Sequence, residues 1–280
     1  MRCAWDELIR LLPHTIQNDV NIIGRETLQE LRLRVGQPVN LVCSDKNIYL
    51  SIDAKQEFML HIINGASQYS PWTAQSSAYG YITAPGGHRI GICGEAVLKN
   101  GIVQGIGSVN SLCIRIARDL DGISDKIIID GTSILIIGPP GSGKTTLLRD
   151  VIRRYSSILN GSVAVLDERG EIFPLLNGKS IFNSGINTDI MSNCPKVRGI
   201  EMLLRTMGPS CIAVDEITNE EDCDAIINAS NCGISLIATA HARDISDIRN
   251  RPIYKTLMDN GVFRRIIILN KNKTWVEERI

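Results

Sequence analysis

"GPPGSGKTT", residues 138–146, stands between an apolar run, "SILIIG" (133–138), and a stretch of helical composition, "KTTLLRDVIRRYSSIL" (144–159). Gly138, Pro139, Pro140, Gly141, Ser142, Gly143, Lys144 and Thr145 match the pattern Gly-x4-Gly-Lys-[Ser/Thr] at every required position, and Thr146 continues into the helix. Glycines let backbone N–H groups curl around phosphate oxygens with no Cβ in the way. The start of a helix adds partial positive charge. Lys144 can reach β- and γ-phosphates, and the Thr145 hydroxyl can serve Mg²⁺. The stretch therefore reads as a nucleotide site, with Mg²⁺ as the expected ion.

Working outward, strand-like and helix-like segments alternate from about residue 121 to the C-terminus: "SVAVLD" (162–167), "RGIEMLLRTM" (198–207), "CIAVDE" (211–216), "EEDCDAIINAS" (220–230), "ISLIATAH" (234–241), "RRIIIL" (264–269) and "TWVEERI" (274–280). Continuous β-branched runs separated by helices predict a mostly parallel sheet covered on both faces. Residues 1–120 have a different texture and read as a smaller α+β domain. Leu8, Ile9, Leu11 and Leu12 predict a first helix. "LRLRVGQPVNLVC" (31–43) predicts a hairpin, and "QEFMLHIINGASQ" (56–68) a helix. "YGYITAPGGHRIGICG" (79–94) predicts two strands around a Pro-Gly-Gly turn. "VLKNGIVQG" (97–105) carries the Asn-Gly hairpin signal, and "SLCIRIARD" (111–119) is one more strand. The expected boundary lies in "DLDGISDK", residues 119–126, with 121–280 as the nucleotide domain.

Three further strand ends carry polar groups. "CIAVDEI" delivers Asp215 and Glu216 to the carboxyl end of a strand, where open parallel sheets bind ligands. Asp215 can hold Mg²⁺ through water, and Glu216 can orient or deprotonate an attacking water. In "AVLDERGEI", either Asp167 or Glu168 can face the γ-phosphate or the metal, or the pair can serve a local turn. "SLIATAHARD" ends at Thr239 and His241, placed to sense the γ-phosphate from beside the loop.

Composition bounds the partners. The 280 residues carry 30 basic and 30 acidic side chains, so no overall basic excess points to stable nucleic-acid binding. "MRCAWDELIRLLP" is amphipathic rather than a secretory leader, and the apolar runs are strand-length, so a membrane role requires a partner. The eight cysteines, Cys3, Cys43, Cys93, Cys113, Cys194, Cys211, Cys223 and Cys232, show no Cys-x-x-Cys pair and no zinc spacing. They read as small buried hydrophobes of a reducing compartment.

The series "GPPGSGKTT", "VLDERGEI", "RTMGPSCIAVDEI" and "ATAHARD" resembles the secretion ATPase superfamily of type II, type IV and pilus motors, with Walker A, Asp box, Walker B and His box in that order. More narrowly, "LRLRVGQPV", "GYITAPGGHRIGICGEA", "DERGEI" and "CPKVRGIEMLLRTMGPSCIAVDEI" are similar to the stage III sporulation protein AA family. The resemblance implies a RecA-like P-loop ATPase domain behind an N-terminal domain, a homo-oligomeric ring, hexameric in the motors, and a cytoplasmic position at the inner face of a membrane. The partners it implies are membrane proteins of a channel-like complex in sporulation. It puts Lys144 and Thr145 in Walker A, Asp167 and Glu168 in the Asp box, Asp215 and Glu216 in Walker B and His241 in the His box. Arg205 matches an arginine shortly before the Walker-B strand, and Arg89 and Arg115 are candidates for the N-terminal-domain arginines that reach the phosphates. Two departures stand out: Asp-Glu where many motors have Gly-Glu, and "TAHA" in the His box. The main alternative is a nucleic-acid-stimulated RecA-like ATPase. A guanine reader is poorly matched, because "LNKNKT" has Asn where such a reader has Asp.

Overall fold

In the computed structural model, residues 3–67, 80–159, 161–176 and 178–280 are described. Gln68 and Tyr79, which end two of the segments read above, lie outside them. The chain divides into two units, Met1–Arg118 and Asp119–Ile280. No helix of the described residues is long and apolar enough to cross a membrane.

In the first unit, helices α1 (Trp5–Leu11) and α2 (His14–Ile23) precede β1 (Leu28–Arg34), β2 (Pro38–Cys43) and β3 (Asn47–Asp53). There follow α3 (Gln56–Ser67), β4 (Tyr81–Thr83), β5 (Arg89–Lys99) and β6 (Ile102–Arg115). The strands pair antiparallel in the order β3-β2-β1-β6-β5-β4. Alternation sorts the two faces. Leu31, Leu33, Ile90, Ile92, Leu112 and Ile114 pack with Leu8, Leu11, Met59 and Ile62 of the helices. Glu30, Arg32, Arg34, Arg89 and Arg115 occupy the intervening positions and are not buried. The β5–β6 turn has Asn100 and Gly101 at φ 54° and 77°, the left-handed pair that matches strand twist in a tight hairpin. Helix α2 and the half-exposed edge strand β3 add to the elements expected from sequence.

His88 is the one fully buried histidine of this unit. Its Nε2 donates to the Ala4 carbonyl at 2.9 Å, and its Nδ1 accepts from the Ala117 N–H at 3.2 Å. That pattern uses a neutral ring, and burial holds its pKa below the usual histidine range. The unfolded chain binds a proton there more readily than the folded one. The contribution of His88 to stability is thus present above about pH 6.5 and is lost as pH falls through the depressed folded value. Urea unfolding at pH 7.5 and 5.5 checks this: stability should drop at the lower pH, and His88→Gln should flatten the drop.

The second unit runs β7 (Ile134–Ile137), α4 (Lys144–Ile158), β8 (Val163–Asp167), β9 (Leu175–Leu176), β10 (Lys179–Ser180), β11 (Thr188–Ser192) and α5 (Lys196–Thr206). It continues with β12 (Cys211–Val214), α6 (Glu220–Asn231), β13 (Ser235–Ala240), α7 (Ile245–Asn250), α8 (Pro252–Asp259), β14 (Arg265–Leu269) and β15 (Trp275–Arg279). Seven strands form one sheet in the order β11-β8-β12-β13-β7-β14-β15; all pairs are parallel except β14–β15. Strands β7, β8, β12 and β14 are buried at every residue, which explains their unbroken apolar runs: both sheet faces are covered. Edge strand β11, "TDIMS", is half-buried throughout and has no such run. Because the strands are parallel, the residues that follow β7, β8, β12 and β13 all emerge at the same sheet edge.

Helix α4 also carries a buried ionic joint. Asp119, fully buried, accepts from Arg153 at 3.2 Å and lies 3.6 Å from Arg149. Arg153 also pairs with Asp150 at 3.0 Å, and Asp150 accepts from the Ser124 N–H and hydroxyl, both at 2.7 Å. The segment from Asp119 to Ser124 is thereby clamped to the helix that begins at the phosphate loop. Charges this deeply buried are tolerated because each is paired and hydrogen-bonded.

Candidate functional site

The loop between β7 and α4 is built for close approach. Gly138 admits no larger residue: a Cβ there would stand 2.7 Å from Ser142 Oγ and 2.8 Å from the Leu269 carbonyl. Gly141 and Gly143 have φ of 74° and 100°, in the region glycine favours. Gly143 is the N-cap of α4 and no side chain caps that helix, so its first N–H groups remain available to an anion. Ser142 Oγ is buried with no hydrogen-bond partner among the described residues. An orphaned buried hydroxyl in a glycine cradle at a helix start fits a phosphate group.

Lys144 is buried and its Nζ donates to the carbonyls of Gly138 and Pro139, at 3.0 and 3.1 Å. It also meets His241 Nδ1 at 3.0 Å. Burial lowers the Lys144 pKa, opposed by the nearby charges of Asp215 and Glu216. An ammonium only donates, so Nδ1 accepts and the imidazole proton sits on Nε2. That Nε2 lies 3.0 Å from Glu216 Oε1.

Asp215 and Glu216, adjacent in sequence, are held apart in role. Asp215 accepts from the Thr145 hydroxyl at 2.7 Å through one oxygen and from the Thr239 hydroxyl through the other. Thr239 Oγ1 accepts in turn from the Glu216 N–H at 2.8 Å, and its carbonyl accepts from the Ile217 N–H at 2.9 Å. Strand β13, lying between β7 and β12, thus pins the end of β12. Glu216 adopts φ 53°, a left-handed conformation that costs a non-glycine residue about 1–3 kcal/mol and marks functional sites. Its Oε2 accepts from Arg169 at 2.9 Å.

The other acidic pair behaves differently. Asp167 is buried and its carboxylate accepts three backbone N–H groups: Glu171 at 2.8 Å, Ile172 at 3.0 Å and Phe173 at 2.9 Å. Burial pushes its pKa up to about 6, with the three donors pulling the other way. Both oxygens are occupied by the turn that Asp167 nucleates, so it is not presented to a metal as the sequence reading allowed. Arg149 fixes the same turn, donating to the carbonyls of Ile172 at 2.6 Å and Glu171 at 3.0 Å. Glu168 points elsewhere and is bound by the buried Lys196 at 2.6 Å, which also lies 3.5 Å from Asp222.

The arginines named from sequence do not join this cluster within its own unit. Arg205 is exposed in the last turn of α5, which leads into the amino end of β12, whereas Asp215 follows its carboxyl end. It sits at the edge of the sheet opposite its own phosphate loop. Arg89 and Arg115 belong to the first unit, where they are direct cross-strand partners. Arg89 stacks over the Tyr81 ring at 4.3 Å, and Arg115 lies 3.3 Å from Glu30. Thr239, read from sequence as a strand-end polar group, instead bridges Asp215 and the Glu216 backbone; Arg169, Lys196 and Arg149 also organise the site and carry no role in the motif reading. Thr239, Arg169 and Lys196 lie inside the quoted motif segments, and Arg149 does not.

For a divalent ion the donors are Thr145 Oγ1 and Asp215, hard oxygens suited to Mg²⁺. Among the described residues no group of three or more His, Cys, Asp or Glu is arranged to hold a metal. An ion held there would need further ligands from other groups, as Mg²⁺ does in phosphoryl-transfer sites, where it keeps several waters and substrate phosphates.

A model of the family described as "Sporulation stage III, protein AA" matches residues 6–278. Stage III sporulation protein AA of Bacillus subtilis (strain 168) is 36% identical over 281 residues, spanning 96% of this chain and 92% of that protein. Among solved structures, the ATPase DotB of Yersinia pseudotuberculosis superposes with a TM-score of 0.61 at 16% identity, covering 95% of this chain and 79% of that one. The pilus retraction motor PilT, solved with bound ADP, gives 0.62 at 14% identity, covering 90% and 76%. At these identities the likeness to the motors is one of fold: the chain has the α/β fold of P-loop secretion ATPases.

Proposed function

The chain belongs to the sporulation stage III, protein AA family, and on that premise we propose that it hydrolyses ATP with Mg²⁺ as a RecA-like subunit of a ring-shaped motor. The ring, a hexamer by analogy with the motors, would work beside membrane proteins of a channel-like complex in sporulation, on the cytoplasmic side. The observation that carries this reading is the convergence of Lys144, Thr145, Asp215, Glu216 and His241 at one sheet edge, joined by direct hydrogen bonds.

In this reading the loop amides and Lys144 hold the triphosphate, and Thr145 with Asp215 hold Mg²⁺, which neutralises phosphate charge when bound. Water attacks the γ-phosphorus in line. A bond forms from water oxygen to phosphorus, the bond to the β–γ bridging oxygen breaks, and ADP leaves with that electron pair. Glu216 takes the water's proton. Glu168 is the poorer base because its partner, Lys196, is buried and holds it at 2.6 Å, whereas the Arg169 tie on Glu216 is open to solvent. By analogy with the motors, the cations expected from outside the phosphate loop would come from an N-terminal domain, where Arg89 and Arg115, cross-strand partners in the first unit, are the candidates.

The test is ATP turnover against protein concentration, with Glu216→Gln protein mixed into wild type. Turnover per subunit should rise with concentration, and the inactive variant should suppress it more than in proportion. Constant turnover with no suppression would sink the ring. Salt-sensitive stimulation by DNA or RNA would favour the nucleic-acid alternative.

A further inference from the structure

We propose that Arg169 is a positioning residue that latches Glu216 and withholds it from the attacking water whenever the latch is closed, so that turnover waits on its opening. The inference rests on the reading of Glu216 as the water-activating base. Both carboxylate oxygens of Glu216 are engaged: Oε1 with His241 Nε2 at 3.0 Å and Oε2 with Arg169 at 2.9 Å. The other nitrogen of His241 takes Lys144 at 3.0 Å. One unbroken line of contacts therefore runs Arg169–Glu216–His241–Lys144, from a partly exposed guanidinium to the lysine of the phosphate loop.

A γ-phosphate is the natural competitor for Lys144. When the ammonium turns to phosphate, His241 Nδ1 loses its donor and the ring is no longer fixed against Glu216. The last tie on the carboxylate is then Arg169, which holds Oε2 and with it the orientation of the side chain. That tie is weak enough to open, because the side chains are 47% and 31% exposed and solvent-exposed ion pairs contribute little. The mounts at either end are firm. The Glu216 backbone is held by Thr239. Arg169 springs from the turn that Asp167 and Arg149 fix with five hydrogen bonds to its backbone. Opening the latch thus requires only side-chain motion.

The test uses the full chain. Kd for a fluorescent ATP analogue, and kcat and KM for ATP, are measured in wild type, Arg169→Ala and Arg169→Lys, each with and without Glu216→Gln. Arg169→Ala should raise kcat about fivefold while KM and Kd stay within about twofold, since the residue acts on the chemical step and not on uniform binding. Arg169→Lys, which keeps the cation, should remain near wild type. In the Glu216→Gln background the effect of Arg169→Ala should vanish, because it acts through that carboxylate. A raised KM with unchanged kcat would make Arg169 a phosphate contact and overturn the latch. So would an unchanged or lowered kcat, or an equal gain without Glu216. Wild type that fails to bind the analogue overturns the nucleotide reading and the latch together, whereas wild type that binds and turns over beside an unaltered Arg169→Ala overturns the latch alone. Should Arg169→Ala not fold, Arg169→Gln serves the same comparison.

Discussion

Glu216→Gln is expected to lower kcat for ATP by about 10²–10⁴-fold, the usual contribution of a positioned general base, while nucleotide affinity stays within a few-fold. The substitution keeps the shape of the side chain, its contact with His241 through one oxygen, and the φ of 53° at that position. It removes the capacity to take a proton, together with the charge that meets Arg169 at Oε2. Glu168→Gln is the internal control. Its carboxylate is bound to the buried Lys196 at 2.6 Å, so the loss expected is mainly of stability, with kcat changed by less than about tenfold. Single-turnover hydrolysis and equilibrium binding of ATP, run on both variants, decide the matter. A larger catalytic loss for Glu168→Gln would transfer the base to the Asp box.

The second large effect concerns folding. Asp167→Ala should cost about 3 kcal/mol or more in stability, because three N–H donors lose their acceptor and each buried donor left unpaired costs about 1–3 kcal/mol. The residues that donate include Ile172 and Phe173, both fully buried. The same carboxyl also writes a pH signature. Its folded pKa, about 6, lies above the usual value of about 4 for an unfolded aspartate. The folded state therefore holds the proton more tightly, and this contribution to stability is complete below about pH 4 and lost as pH rises through the folded value. Asp167→Asn, which retains one acceptor oxygen and never ionises, should lose less stability at neutral pH and show no such slope. Denaturant unfolding at pH 4.5 and 7 reads both effects.

The phosphate loop and the buried strands were legible because local rules impose them. A glycine cradle needs glycines, and a strand covered on both faces needs an unbroken apolar run. Edge strand β11 was not legible, since half-exposed positions impose no such run. The two acidic pairs looked alike in sequence and differ in space for reasons of neighbours. Asp167 is the last residue of β8, buried and turned into its own loop, while Glu168 meets Lys196 of the following helix. Asp215 and Glu216 divide their roles through Thr239 on β13, a strand adjacent only after the chain has crossed the sheet. The place of Arg205 was not legible, because motif spacing records distance along the chain and not the direction of a helix, which here carries the residue to the edge opposite its own phosphate loop. Arg89 and Arg115 became neighbours only through the register of β5 on β6.

Asp119, Asp150, Arg149 and Arg153 are all nearly shielded from solvent, so dissolved ions barely reach them, whereas the Arg169–Glu216 contact is open to the medium. Ionic strength is therefore a selective reagent for this molecule. A concentrated neutral salt slackens the surface tie first and leaves the strap at Asp119 fastened to its helix.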